Sequence, residues 1–269
     1  MQKRRHDITF TYRADFPAEW PWANIYVLAD HHDGDPHCDQ GELQRRIDQA
    51  AADPYGLVIL NGDLMNTALR HSVSDVYGEL ASPMEQISRL VGMLKPIAHK
   101  VIGATTGNHE NRAYKDSGLD VMRLVCRELG IENRYCPEGI LIFLRFGQKK
   151  QDRHKERKSL QWYTIYATHG SGGGRKEGAK AIRLADMAAI VDADVYVHSH
   201  THLPMIMKQA FFRADVCNCS AQLVPKLFVN TGAALRYGGY GQAQEFKPAI
   251  TATPVIHLFS GDKSATATL

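Results

Sequence analysis

The 269-residue sequence contains no apolar run long enough to span a bilayer, which leaves no candidate membrane helix. Its basic start, Met1-Gln2-Lys3-Arg4-Arg5-His6-Asp7, is not followed by the apolar core of a secretory signal. An excess of one charge is also lacking. Lys and Arg number 32 against 29 Asp and Glu, a formal net charge of +3, so composition makes no case for a nucleic-acid or membrane surface. Cysteine is sparse: five thiols, at 38, 126, 136, 217 and 219, odd in number and without zinc-ribbon spacing, which fits a reduced state. Cys217-x-Cys219 has no second pair near it and reads as two ordinary thiols in a hairpin or loop. There is no internal repeat and no linker long enough to divide the chain. These absences predict a soluble cytoplasmic protein with no membrane partner, folded as one domain over residues 1–269 with a core from about 24 to 260. What is present is a 44% hydrophobic composition, sufficient for a sizeable core, and thirteen histidines, a count that hints at metal use.

Strands and helices alternate through the first half. Residues 24–29, Asn-Ile-Tyr-Val-Leu-Ala, are a short apolar run expected of a strand buried on both faces. A helix is predicted over 40–52, with Leu43, Ile47 and Ala50 at helical spacing and Asp53-Pro54-Tyr55-Gly56 as its stop. Residues 57–60 form a second buried strand, 83–95 a helix opened by Pro83, 101–104 a third strand and 119–129 a further helix closed by Gly130. The second half leans toward β. Strands are predicted over 139–146, 160–167 and 194–197, a helix over 176–191, and short strands over 204–213, 226–230 and 252–259. Residues 147–158 are a highly charged connection, either a mobile hairpin tip or a nucleic-acid-binding segment. Phe10, Tyr12, Phe16, Trp20 and Trp22 are expected to pack on the body.

Five of these strands end in loops that carry metal-capable side chains: Asp30 and His32, then Asp63, then Asn108 and His109, then His169, then His200 and His202. Asp30 and His32 lie two apart, so an extended backbone there would aim both at one point. A carboxylate and an imidazole suit a divalent transition metal. In open α/β sheets ligands collect at the carboxyl ends of strands, so residues distant in sequence can share one rim. Gly34, Gly62, Gly107 and Gly170 permit the tight backbone paths such loops need.

The ordered blocks Asp30-x-His32, Gly62-Asp63, Gly107-Asn108-His109-Glu110, His169-Gly170 and His200-x-His202 resemble the signature of the calcineurin-like metallophosphoesterases, over about residues 24 to 235. The resemblance implies an α/β (α+β) fold, a four-layer αββα sandwich of two mixed β-sheets flanked by helices. It implies two divalent transition-metal ions, drawn from manganese, iron, zinc, cobalt and nickel, with manganese expected to support activity in vitro. Asp30, His32 and His202 would hold the first ion, Asn108, His169 and His200 the second, and Asp63 would bridge them. His109 would bind neither and would act at the substrate as general acid or stabiliser. The implied activity is hydrolysis of a phosphate ester, most readily a phosphodiester, by direct attack of metal-bound hydroxide. A phosphomonoesterase is the alternative within the enzyme class, and a non-catalytic metal-binding scaffold the alternative outside it. Nucleotides and nucleic acids are among the substrates the resemblance admits. The residue types support these roles. A shared carboxylate offsets the repulsion of two cations ~3.5–4 Å apart, and the neutral Asn108 oxygen leaves the site more positive for an anionic substrate.

Two positions depart from the family pattern. Ser199 stands where the last block usually has Gly, and only a local adjustment is expected. The sequence Gly62-Asp63-Leu64-Met65-Asn66-Thr67 lacks the Asp and Arg of the protein Ser/Thr phosphatase branch, which points to the phosphodiesterase and nuclease-like group. Substrate contacts are assigned to Arg112, Asn108 and Gly172. Arg112 either grips phosphate bidentately or pairs near Glu110 at the surface. Gly172 lies in the run Ser171-Gly172-Gly173-Gly174 before a helix, whose N–H groups and positive dipole can receive phosphate. Glu110 is expected to support a ligand His, His37 to stand behind the ligands, and His31 to point away from them. Asn230-Thr231-Gly232-Ala233 is expected to support the site without reacting. Tyr237-Gly238-Gly239-Tyr240-Gly241 is either a base-stacking loop or a plain turn.

Overall fold

The computed structural model describes residues 10–70, 72, 76–148, 160–248 and 250–269. Among these the chain order is β1 (Phe10–Asp15), β2 (Trp22–Leu28), α1 (Gln40–Ala52), β3 (Gly56–Asn61), α2 (Pro83–Leu94), β4 (Val101–Thr105), α3 (Glu110–Ser117), α4 (Val121–Glu128), β5 (Ile140–Gln148), β6 (Leu160–Ala167), α5 (Glu177–Asp186), β7 (Val195–His198), β8 (Met205–Asp215), β9 (Ser220–Asn230), the short α6 (Gly239–Ala243), β10 (Val255–Phe259) and β11 (Ser264–Thr268). They form two mixed sheets with strand orders β11-β10-β2-β3-β4 and β1-β5-β6-β7-β9-β8. In the first, β2, β3 and β4 run parallel; in the second, β6, β7 and β9 do.

Burial explains the layering. Alternate residues of facing strands, among them Ile25, Val27, Ile59, Ile140, Ile142, Val195, Val197, Leu227 and Val229, make one core between the two sheets. The opposite face of the five-stranded sheet packs Leu28, Val58 and Leu60 against Leu43, Ile47, Ile87, Leu90 and Val125 of α1, α2 and α4. The outer face of the six-stranded sheet packs Tyr166, Tyr196 and Phe228 against Leu184 of α5 and Met187. Three cores therefore separate four layers, helix on sheet on sheet on helix. A strand buried on both faces has no polar side to show, and β3 is buried at all six of its residues.

The helix starts follow their sequence signals. The Asp39 side chain accepts from the N–H of Glu42 at α1, and Ser82 and Glu85 close a reciprocal capping box around Pro83 at α2. Phe16 stacks on Trp20 at 4.7 Å between ring centroids, and Trp20 and Trp22 meet Tyr55 edge-on. Tyr12, Phe16, Trp20 and Trp22 thus pack on the body as expected, while the Phe10 side chain lies outside what is described.

Some expectations are corrected. Residues 10–15 form an edge strand, β1, and 264–268 another, β11. Residues 110–117 form the helix α3, which has no apolar stripe because only Glu110 and Ala113 are buried. The helix predicted over 176–191 is α5 followed by a 3₁₀ turn, Met187–Ala189. The strand foreseen over 204–213 is β8, Met205–Asp215, whereas β9, foreseen over 226–230, begins six residues earlier at Ser220; Cys217 and Cys219 are exposed in the turn between them. The segment around Tyr237 leads into α6. Most of the charged connection at 147–158 lies outside the described residues, between the antiparallel β5 and β6. No described helix is long and apolar enough to cross a membrane.

Candidate metal centre

The carboxyl ends of β2, β3 and β4 in one sheet and of β6 and β7 in the other reach the same rim. Asn61, the last residue of β3, ties them. Its Nδ2 donates to the Thr168 carbonyl at 2.9 Å and to the Ser199 hydroxyl at 2.7 Å, and its carbonyl lies 2.8 Å from Nδ1 of His169. It is wholly buried. The loops after β2 and β3 are zipped by main-chain bonds, Asp30 N–H to Gly62 O and His31 and His32 N–H to Asp63 O. Thr231 donates its hydroxyl to Asp30 at 3.0 Å, so the turn after β9 supports the rim.

Two triads of donors converge there. Asp30, His32 and His202 bring one ligand atom each to within 4.8 Å of one another, and so do Asp63, His169 and His200. Between them, Nε2 of His32 faces Nε2 of His202 at 3.2 Å and Nε2 of His169 faces Asp63 at 3.2 Å. Asn108 points its Oδ1 at the same His169 nitrogen from 3.3 Å. Lone pairs aimed at one another over such distances need a cation or a proton between them. The donor set of nitrogen and carboxylate oxygen fits divalent transition metals.

The backbone that aims these groups is not extended. Asp30, His32, Asp63, His200 and His202 all have φ between 50° and 66°. The expectation that Asp30 and His32 share a side through strand alternation is therefore corrected; they converge because each turns through left-handed geometry, which Asp and His tolerate better than most residues. Gly62 (φ 78°) and Gly107 make the close approach possible: a Cβ on Gly107 would stand 2.0 Å from Asp63 Oδ1, and one on Gly62 2.4 Å from the Gly107 nitrogen.

The family model for calcineurin-like phosphoesterases matches residues 23–204, more than half of the sequence and every one of these candidate ligands. The chain belongs to the calcineurin-like phosphoesterases. No curated protein matches it in sequence. Solved structures similar to it include an uncharacterised predicted phosphoesterase from Streptococcus pneumoniae, 13% identical over 92% of this chain and 97% of that one with a TM-score of 0.35. A Vps29 single mutant from Entamoeba histolytica is 15% identical over 91% and 97%, with a TM-score of 0.41. A metallophosphoesterase from Sphaerobacter thermophilus is 14% identical over 87% and 83%, with a TM-score of 0.38.

In this phosphoesterase the supporting residues are more informative than their sequence suggested. Glu110 does not reach a ligand His. Its carboxylate accepts the N–H groups of Asp63, Leu64, Met65 and Gly107, clamping the Asp63 loop to the Asn108 loop. Burial, and then the Asp63 carboxylate, raises it to about 7 against the pull of those donors. Burial lowers the pKa of His169, but the Asp63 carboxylate overrides it and the group rises to about 10. Its Nδ1 faces a carbonyl, which only accepts, so Nδ1 carries a proton, and Nε2 is the atom turned toward Asp63. Ser199, in place of the family Gly, receives the Asn61 amide; the substitution adds a hydrogen bond where only an adjustment was expected.

His109 sits beside the triads, with Nδ1 2.7 Å from Asn66 Oδ1 and Nε2 3.0 Å from an Arg112 nitrogen. The Asn66 amide also donates to Glu79, which fixes its oxygen toward His109. His109 therefore carries its proton on Nδ1, and burial, aided by Arg112, lowers its pKa to about 4. Its ring also comes within ligand distance of His32 and Asp63. Arg112 is half-buried and turned to His109 and the Asn66 carbonyl. Gly172 lies three residues past His169, near the Arg183 side chain and outside the triads. His31 is fully buried, apart from the triads, and burial keeps it neutral. His37 pairs with Asp35 and lies under Gly238 and Gly239 instead of behind the ligands. The support expected of Asn230-Thr231-Gly232-Ala233 comes through Thr231, which bonds Asp30; Asn61 and Asn66 were not assigned their contacts from the sequence, where the amide directly before Gly62-Asp63 was the available signal.

Proposed function

We propose that the chain hydrolyses phosphodiesters at a dinuclear centre, with Asp30, His32 and His202 holding one ion, Asn108, His169 and His200 the other, and Asp63 shared. The observation that carries this is the convergence of two carboxylate–histidine triads on one rim, with His109 and Arg112 directly beside them. Two bound cations would polarise the phosphate and lower the pKa of a water. Asp63 spans both sets, and Asn108 contributes an oxygen without adding negative charge. His109 keeps Nδ1–H on Asn66, so Nε2 is the atom that carries a proton to the leaving oxygen. An anionic phosphate beside Nε2 raises its proton affinity from the low value burial imposes. Arg112 turns its N–H groups from His109 to a phosphoryl oxygen, and the N–H groups around Gly172 offer a further contact.

Among the described residues, the scarcity of cations beside the triads supports a diester over a monoester. A monoester dianion asks for more positive charge than a diester monoanion. Among those residues one guanidinium is bonded beside the triads, Arg112, engaged by His109 and Asn66. Manganese is the ion expected to serve in vitro, and nucleotides fit the diester reading. The free cysteines agree with a reducing, cytoplasmic setting. The test compares bis(p-nitrophenyl) phosphate with p-nitrophenyl phosphate, with manganese and with EDTA. Metal-dependent cleavage faster on the diester is expected, with Asp63→Asn and His109→Ala each lowering turnover by roughly 10²-fold or more. Near-normal rates in both variants would sink the mechanism, and preference for the monoester would sink the substrate class.

A further inference from the structure

A cavity of about 350 Å³ opens beside the second ligand set. Asn108 and His169 form its inner end, and Asn111, Tyr114, Arg123 and Glu138 line the rest. It is of small-molecule size, and none of the roles above uses it.

Its charges do not balance. Arg123 is spent on Asp120 at 3.3 Å and on Glu132 at 3.5 Å. Asp120 also accepts the Tyr135 hydroxyl at 2.9 Å. Glu110, on the same wall, is consumed by four backbone N–H groups. Glu138 is left over. Its carboxylate is approached at 3.7 Å by the weak Cys136 thiol donor, and no cation pairs with it among the described residues. A phosphate held at Asn108 and His169 thus shares the cavity with the unpaired carboxylate of Glu138, an exposed residue of its lining. A hydroxyl there donates to it; a second phosphate is repelled. Tyr114, 57% exposed, offers a ring face beside that path.

We propose that this cavity receives one ester group of the substrate, and that Glu138 selects an uncharged, hydroxyl-bearing group of nucleoside size over one carrying another phosphate. This rests on the phosphodiesterase reading and narrows it to single diesters, since the next phosphate of a nucleic-acid strand would face Glu138.

Two chromogenic diesters test the idea with manganese present: thymidine 5′-(p-nitrophenyl phosphate) and the same compound bearing a 3′-phosphate. The extra phosphate is expected to raise KM about tenfold in the wild type, the size of one modest charge–charge term. Glu138→Gln should bring the two substrates within about twofold, and Glu138→Lys should reverse the order. Equal KM values in the wild type, or discrimination that survives in Glu138→Gln, would overturn the proposal. Calorimetric binding of thymidine 5′-phosphate and thymidine 3′,5′-bisphosphate to the manganese-loaded protein reads the same preference without turnover. Absence of all diester cleavage therefore counts against the function, while the binding preference alone decides the role of Glu138.

Discussion

Asp30, His32, Asp63, His200 and His202 hold left-handed backbone geometry that costs of order 1–3 kcal/mol each where the residue is not glycine. Such strain persists only where neighbours over-determine it, and here the bonds are visible. The His200 N–H donates to Asp30, the His109 N–H to Asp63 Oδ1 at 2.8 Å, and Glu110 takes the N–H groups after Gly62. Asn61 is the residue on which both sheets rely for this arrangement. Its main-chain carbonyl faces the His169 ring, and its side chain holds Thr168 and Ser199, the residues directly before His169 and His200. Asn61→Ala keeps the main-chain carbonyl that faces His169 but removes the side-chain bonds to Thr168 and Ser199, and is expected to keep the fold and to weaken metal binding about 10-fold, the lower end of what losing an orienting partner costs. Calorimetric titration of metal into wild type and variant measures it, and unchanged affinity would show that Asn61 only packs.

At the scale of elements, the sequence was most legible where burial was two-sided. β2, β3 and β4 are near-continuous apolar runs whose ends carry Asp30, His32, Asp63 and Asn108 in plain view, and the other three proposed ligands, His169, His200 and His202, follow β6 and β7 in the same way. Less was readable where side chains face water. α3 has an almost wholly polar sequence and is held by Glu110 and Ala113 alone. β11 is Ser-Ala-Thr-Ala-Thr, too small and polar to announce a strand, and it forms by pairing with β10. β9 looked as if it began after Pro225, because proline removes a ladder donor; yet its pairing with β7 begins only at Leu227, so Pro225 pairs with β8 where the other flank is open. The backbone turns at the ligands were hidden for another reason: residue type alone does not force an Asp or His into left-handed geometry. One element-level consequence is alkaline. Tyr163 of β6 reaches the other sheet and donates to the carbonyls of Phe259 at 2.6 Å and Ser264 at 2.8 Å. Burial pushes its phenol up to about 12 from an ordinary value near 10. Between those values the unfolded chain has lost the proton that the folded chain keeps, so the unfolded state binds fewer protons and stability falls as pH rises. Below pH ~10 the contribution is fully present. Denaturant midpoints from pH 9 to 12 should decline in the wild type and decline less in Tyr163→Phe; parallel curves would deny Tyr163 the role.

At the scale of the molecule, each proposed ion is a cross-link between the two sheets. The first set takes Asp30 and His32 from the loop after β2 and His202 from the loop after β7; the second takes Asp63 and Asn108 from the five-stranded sheet and His169 and His200 from the six-stranded one. The donors meet only when both sheets are packed over their shared core, so the site exists in the folded state and not in the unfolded chain. Ligands that bind the folded state alone stabilise it by mass action, about 2.7 kcal/mol at a free concentration one hundred times Kd. For a chain of this size each kcal/mol raises Tm by roughly 2–4 °C, so manganese at that excess should raise Tm by about 5–10 °C over EDTA-treated protein. Asp63→Asn should lose most of that increment, because Asp63 belongs to both sets, while its EDTA-treated form should melt near the EDTA-treated wild type. Magnesium, which prefers oxygen donors, should give a smaller rise at equal concentration. Scanning calorimetry with each ion separates these cases. A metal-independent Tm in the wild type would mean that the triads satisfy one another through protons, as His169 and Asp63 do at 3.2 Å, and that the cations are not what joins the two sheets at the rim.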